Sequence, residues 1–175
     1  MAGSSRPKIT FARLPQVDPR HILAHMSDPR VAEHMPLLTA KWDMAAVTGF
    51  VSTKEACWAR DGLGHWAVLA DDRYVGWGGY QREADEWDFG LVLTPNAFGL
   101  GMQITRKALA LAVADQRIPF VTFLLPPSRK HLRALDRFGA RFVGQVDYEG
   151  AAFLKYRLET TRAPVLLSAF GQPDR

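Results

Sequence analysis

Only one cysteine, Cys57, occurs among the 175 residues. A disulfide framework is therefore excluded, and a reducing compartment is the default expectation. The residue lies in Glu55-Ala56-Cys57-Trp58, where nothing adjacent would activate a thiolate, so it reads as a packing thiol. No apolar run approaches a membrane span or a signal-peptide core, which makes a soluble, cytoplasmic protein the expectation, with no membrane partner. Lys and Arg exceed Asp and Glu by 22 to 18, but they are scattered. No basic run of the kind that grips nucleic acid is present, and no nucleic-acid partner is expected. His21, His25 and His34 form no metal-binding spacing with any carboxylate, so no metal is assigned. Internal repeats and low-complexity segments are also missing.

What is present is a hydrophobic fraction of 47%, enough to bury the core of one domain. Residues 1–7 read as a disordered lead and 8–158 as the domain. Residues 159–175 read as a tail with an apolar patch at Val165-Leu166-Leu167. Seven strands are expected: Lys8 to Leu14, His65 to Ala70, Tyr74 to Gln81, Asp88 to Leu93, Pro119 to Leu125, Phe142 to Tyr148 and Ala152 to Leu158. Helices are expected from Asp18 to Met26, with Asp18 as cap and Pro19 in the first turn, and from Pro29 to Met35. Others are expected over Asp43–Arg60, from Leu100 onward, and over Arg129–Phe138 behind a Ser128 cap. Turns fall at Asp71-Asp72-Arg73, Glu83-Ala84-Asp85-Glu86 and Glu149-Gly150. Gly76, Gly78 and Gly79 in one strand imply a bulge or a close approach by another element.

The chain is organised around Trp87 to Ala114: a short apolar strand stopped by Thr94-Pro95, a glycine turn, and a long helix. Gly99 and Gly101 open that helix, where main-chain N–H groups and the helix dipole suit an anion such as a pyrophosphate. A P-loop would need Lys-Ser/Thr after the second glycine, and Met102-Gln103 stands there. A dinucleotide fingerprint would need a third glycine at Ile104. The pattern left, N-x-x-G-x-G from Asn96 to Gly101, resembles the acetyl-coenzyme A signature Q/R-x-x-G-x-G/A of the GCN5-related N-acetyltransferases (GNAT), with Asn96 where Gln or Arg is usual. Asp88-Phe89-Gly90 with Pro95, then Val143-Gly144, Tyr148-Glu149-Gly150 and Tyr156-Arg157-Leu158, look like the branch that modifies ribosomal-protein N-termini. The resemblance spans roughly residues 8 to 158. Departures are Ser128 for a helix-opening Asn, His131 for Ser and Thr105 for Glu. Leu135 stands where many GNAT enzymes carry the Tyr that protonates the leaving thiolate.

The resemblance implies an α/β (α+β) fold with a mixed, mostly antiparallel sheet of about seven strands, split at the central strand after a bulge and flanked by helices. It implies acetyl-CoA as acyl donor, an amine as acceptor, and a monomer or homodimer. Main-chain groups of Leu91, Val92 and Leu93 would meet the pantetheine arm, and those of Phe98, Gly99, Leu100, Gly101, Met102 and Gln103 the pyrophosphate. Ser128, Arg129 and Lys130 would lie near coenzyme A, the two cations reaching its phosphates. Transfer to an amine needs a fixed thioester, loss of the ammonium proton and a stabilised carbonyl oxygen. Asp88 matches the family's acidic residue on the central strand and is the leading proton acceptor. Glu86, two residues away, shares its face. His131 is a third candidate, either shuttling a proton or simply standing exposed on its helix. A contrasting reading is a degenerate CoA-binding module with a sensing or interaction role. Free coenzyme A released with a panel of amines would separate the two.

Overall fold

The computed structural model describes residues 6–129 and 133–161; the lead before residue 6, Lys130, His131 and the tail after residue 161 lie outside the described residues. Seven strands form one sheet in the order β1-β2-β3-β4-β5-β7-β6. They are β1 (Ile9–Ala12), β2 (His65–Ala70), β3 (Arg73–Glu83), β4 (Glu86–Leu93), β5 (Phe120–Leu125), β6 (Arg141–Tyr148) and β7 (Ala151–Glu159). Every neighbouring pair is antiparallel except β4–β5. That pair is parallel because the helix between them carries the chain back across the sheet. The helices are α1 (Pro19–Met26), α2 (Pro29–Ala32), α3 (Met44–Asp61), α4 (Gly101–Ala114) and α5 (Arg133–Arg137).

The helix ends follow local chemistry. Asp18, Asp28 and Asp43 each accept a hydrogen bond from a first-turn amide, and Pro stands in the first turn of α1 and α2. Each such cap satisfies a donor that the helix cannot. Gly62 closes α3 in the left-handed conformation, and Gly139, at φ 80°, follows α5 in the same region. The two-residue turns Asp71-Asp72 and Glu149-Gly150 have positive φ throughout, as tight hairpins require.

One face of the sheet packs Trp66, Tyr80, Trp87, Phe89, Val121 and Phe123 against Ala108, Leu109 and Ala112 of α4 and Leu135 of α5. The other face sets Ala67, Trp77 and Val92 against Ile22 and Met26 of α1 and Val47 and Phe50 of α3. Cys57 is buried on α3, as a packing thiol should be.

Two expectations are corrected. The first strand stops at Ala12, and Leu14–Gln16 turns into a short 3-10 helix. The second helix ends at Ala32, before Met35. The Arg129 amide donates to the Pro126 carbonyl, making a turn at Ser128; the start of the expected helix and the amides Ser128 would cap lie outside the described residues, and α5 is described over Arg133–Arg137. The acidic segment makes the expected turn, with Glu83 and Glu86 paired as its ends and Ala84 and Asp85 at its tip. The β3–β4 register is uninterrupted, but β3 does carry the bulge its glycines imply: Val75, beside Gly76, is the extra residue opposite Val68 and Leu69 of β2, and Val143 is the extra residue of β6.

Candidate active site

β4 and β5 pair only at Trp87↔Val121 and Asp88↔Thr122. Beyond that point β4 stays paired with β3 as far as Leu93, while β5 stays paired with β7 as far as Leu125. The sheet therefore splits just after Asp88, and the β5-side backbone edge of Phe89 to Leu93 is left without a strand. Leu91, Val92 and Leu93, the residues expected to meet the pantetheine arm, lie along this gap.

The close fit of β3 on β4 makes the split one-sided. A Cβ on Gly78 would stand 2.4 Å from the Gly90 carbonyl oxygen, and one on Gly76 would stand 2.3 Å from that of Val92. Only glycine lets β3 lie so near, which is the close approach its glycines imply.

At the far end of β4 a 3-10 turn, Pro95–Leu100, runs straight into α4. No side chain caps the first amides of α4, and its first turn contains no acid. A Cβ at Gly99 would meet nothing within 4 Å, and one at Gly101 only Leu93 Cδ1 at 3.9 Å. The Gly101 amide donates to the Phe98 carbonyl, and a turn without a side-chain cap, beside open space at the positive end of a helix, fits a pyrophosphate. Phe98 is exposed and meets His34 edge-on. Leu100 and Met102 pack into the core from its margin. Gln103 spends its side chain on the Pro7 carbonyl, so what it could offer a ligand is its main chain. Ser128 and Arg129 are exposed in the turn after β5.

Asp88 is half-buried on the face covered by α3, and its Oδ1 accepts a hydrogen bond from Thr122 Oγ1 at 3.1 Å. Burial pushes its pKa up to about 7. The Thr122 hydrogen bond and Lys155 pull it down, while Glu83 and Glu86 push it up. A carboxyl that titrates near neutrality is suited to accepting a proton. Glu86 shares this face, as strand alternation requires, and is ion-paired with Lys155 of β7. Glu83 accepts from Gln81 Nε2 and from the Tyr148 hydroxyl. Gln81 stands directly opposite Asp88 on β3 and accepts from Lys54 Nζ of α3 at 2.8 Å.

Lys54, Gln81, Thr122, Tyr148 and Lys155 surround the carboxylates, and none of them stands out from motif spacing. One signal was readable: Lys54 falls on the otherwise apolar side of its helix. His131 and Lys130 lie outside the described residues. Among the described residues no group of three His, Cys, Asp or Glu side chains could hold a metal, and no helix is long and apolar enough to cross a membrane.

Residues 8–141 match the family model described as acetyltransferase (GNAT) domain. The fold is similar to that of an acetyltransferase from Agrobacterium tumefaciens, with TM-score 0.70 at 17% identity over 91% of this chain and 95% of that one. A GNAT-family acetyltransferase from Bacillus anthracis gives TM-score 0.72 at 13% identity, over 90% and 98% of the two chains. The aminoglycoside acetyltransferase AAC(6')-Ib, crystallised with coenzyme A and kanamycin, gives 0.70 at 14% identity, over 87% and 95%. No curated protein matches the sequence.

Proposed function

The chain belongs to the GNAT acetyltransferase family, and we propose that it transfers the acetyl group of acetyl-CoA directly to a primary amine, with Asp88 as proton acceptor. Membership makes it an N-acetyltransferase with acetyl-CoA as donor. The acceptor and the roles of individual residues are the proposal. The observation that carries it is the position of Asp88, which combines a near-neutral carboxyl with the last paired residue before the sheet opens.

Bound acetyl-CoA would supply the activated thioester. The main-chain amides of Phe98 to Gln103 hold its pyrophosphate, and the open edge of Leu91 to Leu93 aligns the arm along β4. Arg129 and Lys130 serve the phosphates. Asp88 takes the proton of the incoming ammonium, directly or through one water, and frees the nitrogen lone pair for attack on the carbonyl carbon. Glu83 and Glu86 draw the cation toward it. Because Glu86 is held by Lys155, Asp88 is the carboxylate with the freer role. No tyrosine stands at the family's thiolate-acid position; Leu135 is buried there, so the leaving thiolate takes its proton from water or from the neighbourhood of His131.

The acceptor is a peptide N-terminus or a small-molecule amine. Affinity with the ribosomal-protein N-terminal branch is supported by where its motif residues fall: Gly144 takes φ 152° at the register shift of β6, and Glu149-Gly150 makes the β6–β7 turn. A small amine is supported by the neighbour that holds kanamycin with coenzyme A in the same fold. The test is release of free coenzyme A from acetyl-CoA with a panel of peptides, polyamines and aminoglycosides. Acceptor-dependent release is expected. Tight acetyl-CoA binding without such release from any amine would overturn the reading in favour of a binding module.

A further inference from the structure

α3 contributes a charged residue where its neighbours are apolar or aromatic. Lys54 extends from the helix face that also carries Phe50 and reaches over the sheet beside Asp88. Its Nζ donates to Gln81 Oε1 at 2.8 Å and lies 5.7 Å from the Phe50 ring centre and 5.5 Å from that of Trp77. A carbonyl-type oxygen and two aromatic faces all favour the ammonium form. Burial pulls the lysine pKa below its usual range, opposed by Cys57, Glu83 and Asp88. Placing a cation here is costly, and the arrangement returns that cost only where the charge acts on a neighbour. Gln81 fixes the position twice over, since its other end donates to Glu83 Oε1 and its backbone is in register with Asp88.

Resting on the reading of Asp88 as proton acceptor, we infer that Lys54 is a positioning residue whose buried ammonium, held by Gln81, keeps Asp88 ionised and therefore able to take the proton. The charged and titratable groups facing Asp88 are Lys54 from α3, His65 from β2, Glu83 from β3, Glu86 on its own strand, Tyr148 from β6 and Lys155 from β7. His65 is buried and held neutral by that burial and by Lys54. Burial and the adjacent acids drive the Tyr148 hydroxyl up to about 12, so it does not titrate in the working range. Lys155 also lowers the Asp88 pKa, but it is ion-paired with Glu86. Lys54 is thus the cation on this face, among the described residues, with no carboxylate partner of its own in hydrogen-bond range.

The experiment compares Lys54→Met, Lys54→Arg and Asp88→Asn in the full chain. The readouts are the pH profile of kcat/KM for the acceptor and the carboxyl titration of Asp88 by NMR in the ligand-free protein. Lys54→Met should move both the acidic limb and the Asp88 titration upward by about half a pH unit or more, and Lys54→Arg should restore most of the shift. Asp88→Asn should abolish the limb, and adding Lys54→Met to it should then leave the shape of the profile unchanged. Lys54→Gln replaces Lys54→Met if the latter does not fold. An unmoved limb and titration in a folded Lys54→Met or Lys54→Gln protein would overturn the inference, as would an arginine variant that shifts as far as methionine. If Asp88→Asn keeps the wild-type limb, the reading of Asp88 fails instead, and the NMR titration still decides whether Lys54 sets that carboxyl's charge.

Discussion

Asp88 and Thr122 face each other across the last residue pair that joins β4 to β5, and the threonine hydroxyl donates to the aspartate carboxylate at 3.1 Å. The hydrogen bond therefore sits at the apex of the gap and restrains a carboxyl that burial drives toward its neutral form. Thr122→Val keeps the shape and removes the donor. It should raise the Asp88 pKa above its present value of about 7 and move the acidic limb of the acceptor kcat/KM to higher pH. An unchanged limb would show that the hydroxyl is not what tempers the carboxylate.

Loss of the base itself is a larger effect. Asp88→Asn should lower acceptor turnover by about 100-fold or more at pH 7. The deficit should narrow as pH rises and more of the amine arrives unprotonated. Coenzyme A affinity by calorimetry should barely move, because the amides that open α4 lie beyond the other end of the strand. Glu86→Gln should be milder in turnover, since that carboxylate is already neutralised by Lys155.

The same substitution should stabilise the fold. The Asp88 pKa is raised on folding, from an unfolded value near 3.8 to about 7, so the native state binds the extra proton. Wild-type stability from this group is then greatest below the lower value and falls as pH rises through the upper one. Asp88→Asn removes the burden, and the variant should gain up to about 4 kcal/mol relative to wild type at pH 8 and little at pH 4. Denaturant melts at the two pH values measure the difference. An equal effect at both would mean that the carboxyl is not strained by burial.

Gly101→Asp should abolish coenzyme A binding in a folded protein. Gly101 has ordinary helical dihedrals, and a Cβ there meets only Leu93 Cδ1 at 3.9 Å, so the backbone tolerates a side chain. The loss would come from a carboxylate placed against the pyrophosphate. Gly101→Ala should instead bind and gain up to about 1 kcal/mol of helix stability. Wild-type affinity in Gly101→Asp would remove the α4 N-terminus from the binding site.

Gly78→Ala should destabilise by about 3 kcal/mol or more. Its Cβ would stand 2.4 Å from a backbone oxygen on β4, and a backbone atom cannot rotate away as a side chain could. A normal thermal midpoint would show that β3 can slide off β4 without consequence.

The framework was readable where one residue acts on its own neighbours. Asp18-Pro19, Asp43 and Gly62 mark helix ends by local hydrogen bonding and backbone freedom, and the structure places the ends there. Asp71-Asp72 and Glu149-Gly150 mark hairpins for the same reason. Ser128 has the composition of a cap and stands in a turn in which the Arg129 amide donates to the Pro126 carbonyl, while the helix start expected behind it lies outside the described residues. The Asp88 surroundings were less legible because they depend on register. Gln81 and Thr122 meet Asp88 from strands whose alignment no local spacing encodes. Lys54 was visible as an anomaly on an apolar helix side, but its partner comes from the fold.

The junction of β4 and β5 has a mechanical consequence. The sheet behaves as two leaves, β1 to β4 and β5 to β7, joined along a spine of two residue pairs. Their common apolar layer under α4 and α5 carries the rest of the cohesion. A molecule lodged in the gap would touch both leaves at once and act as a staple, so its binding energy would be distributed over the whole sheet and not confined to one side. Saturation with coenzyme A should therefore slow hydrogen exchange at β5 and β7 as well as at β4, although α4, which opens with the glycine turn, packs on one face alone.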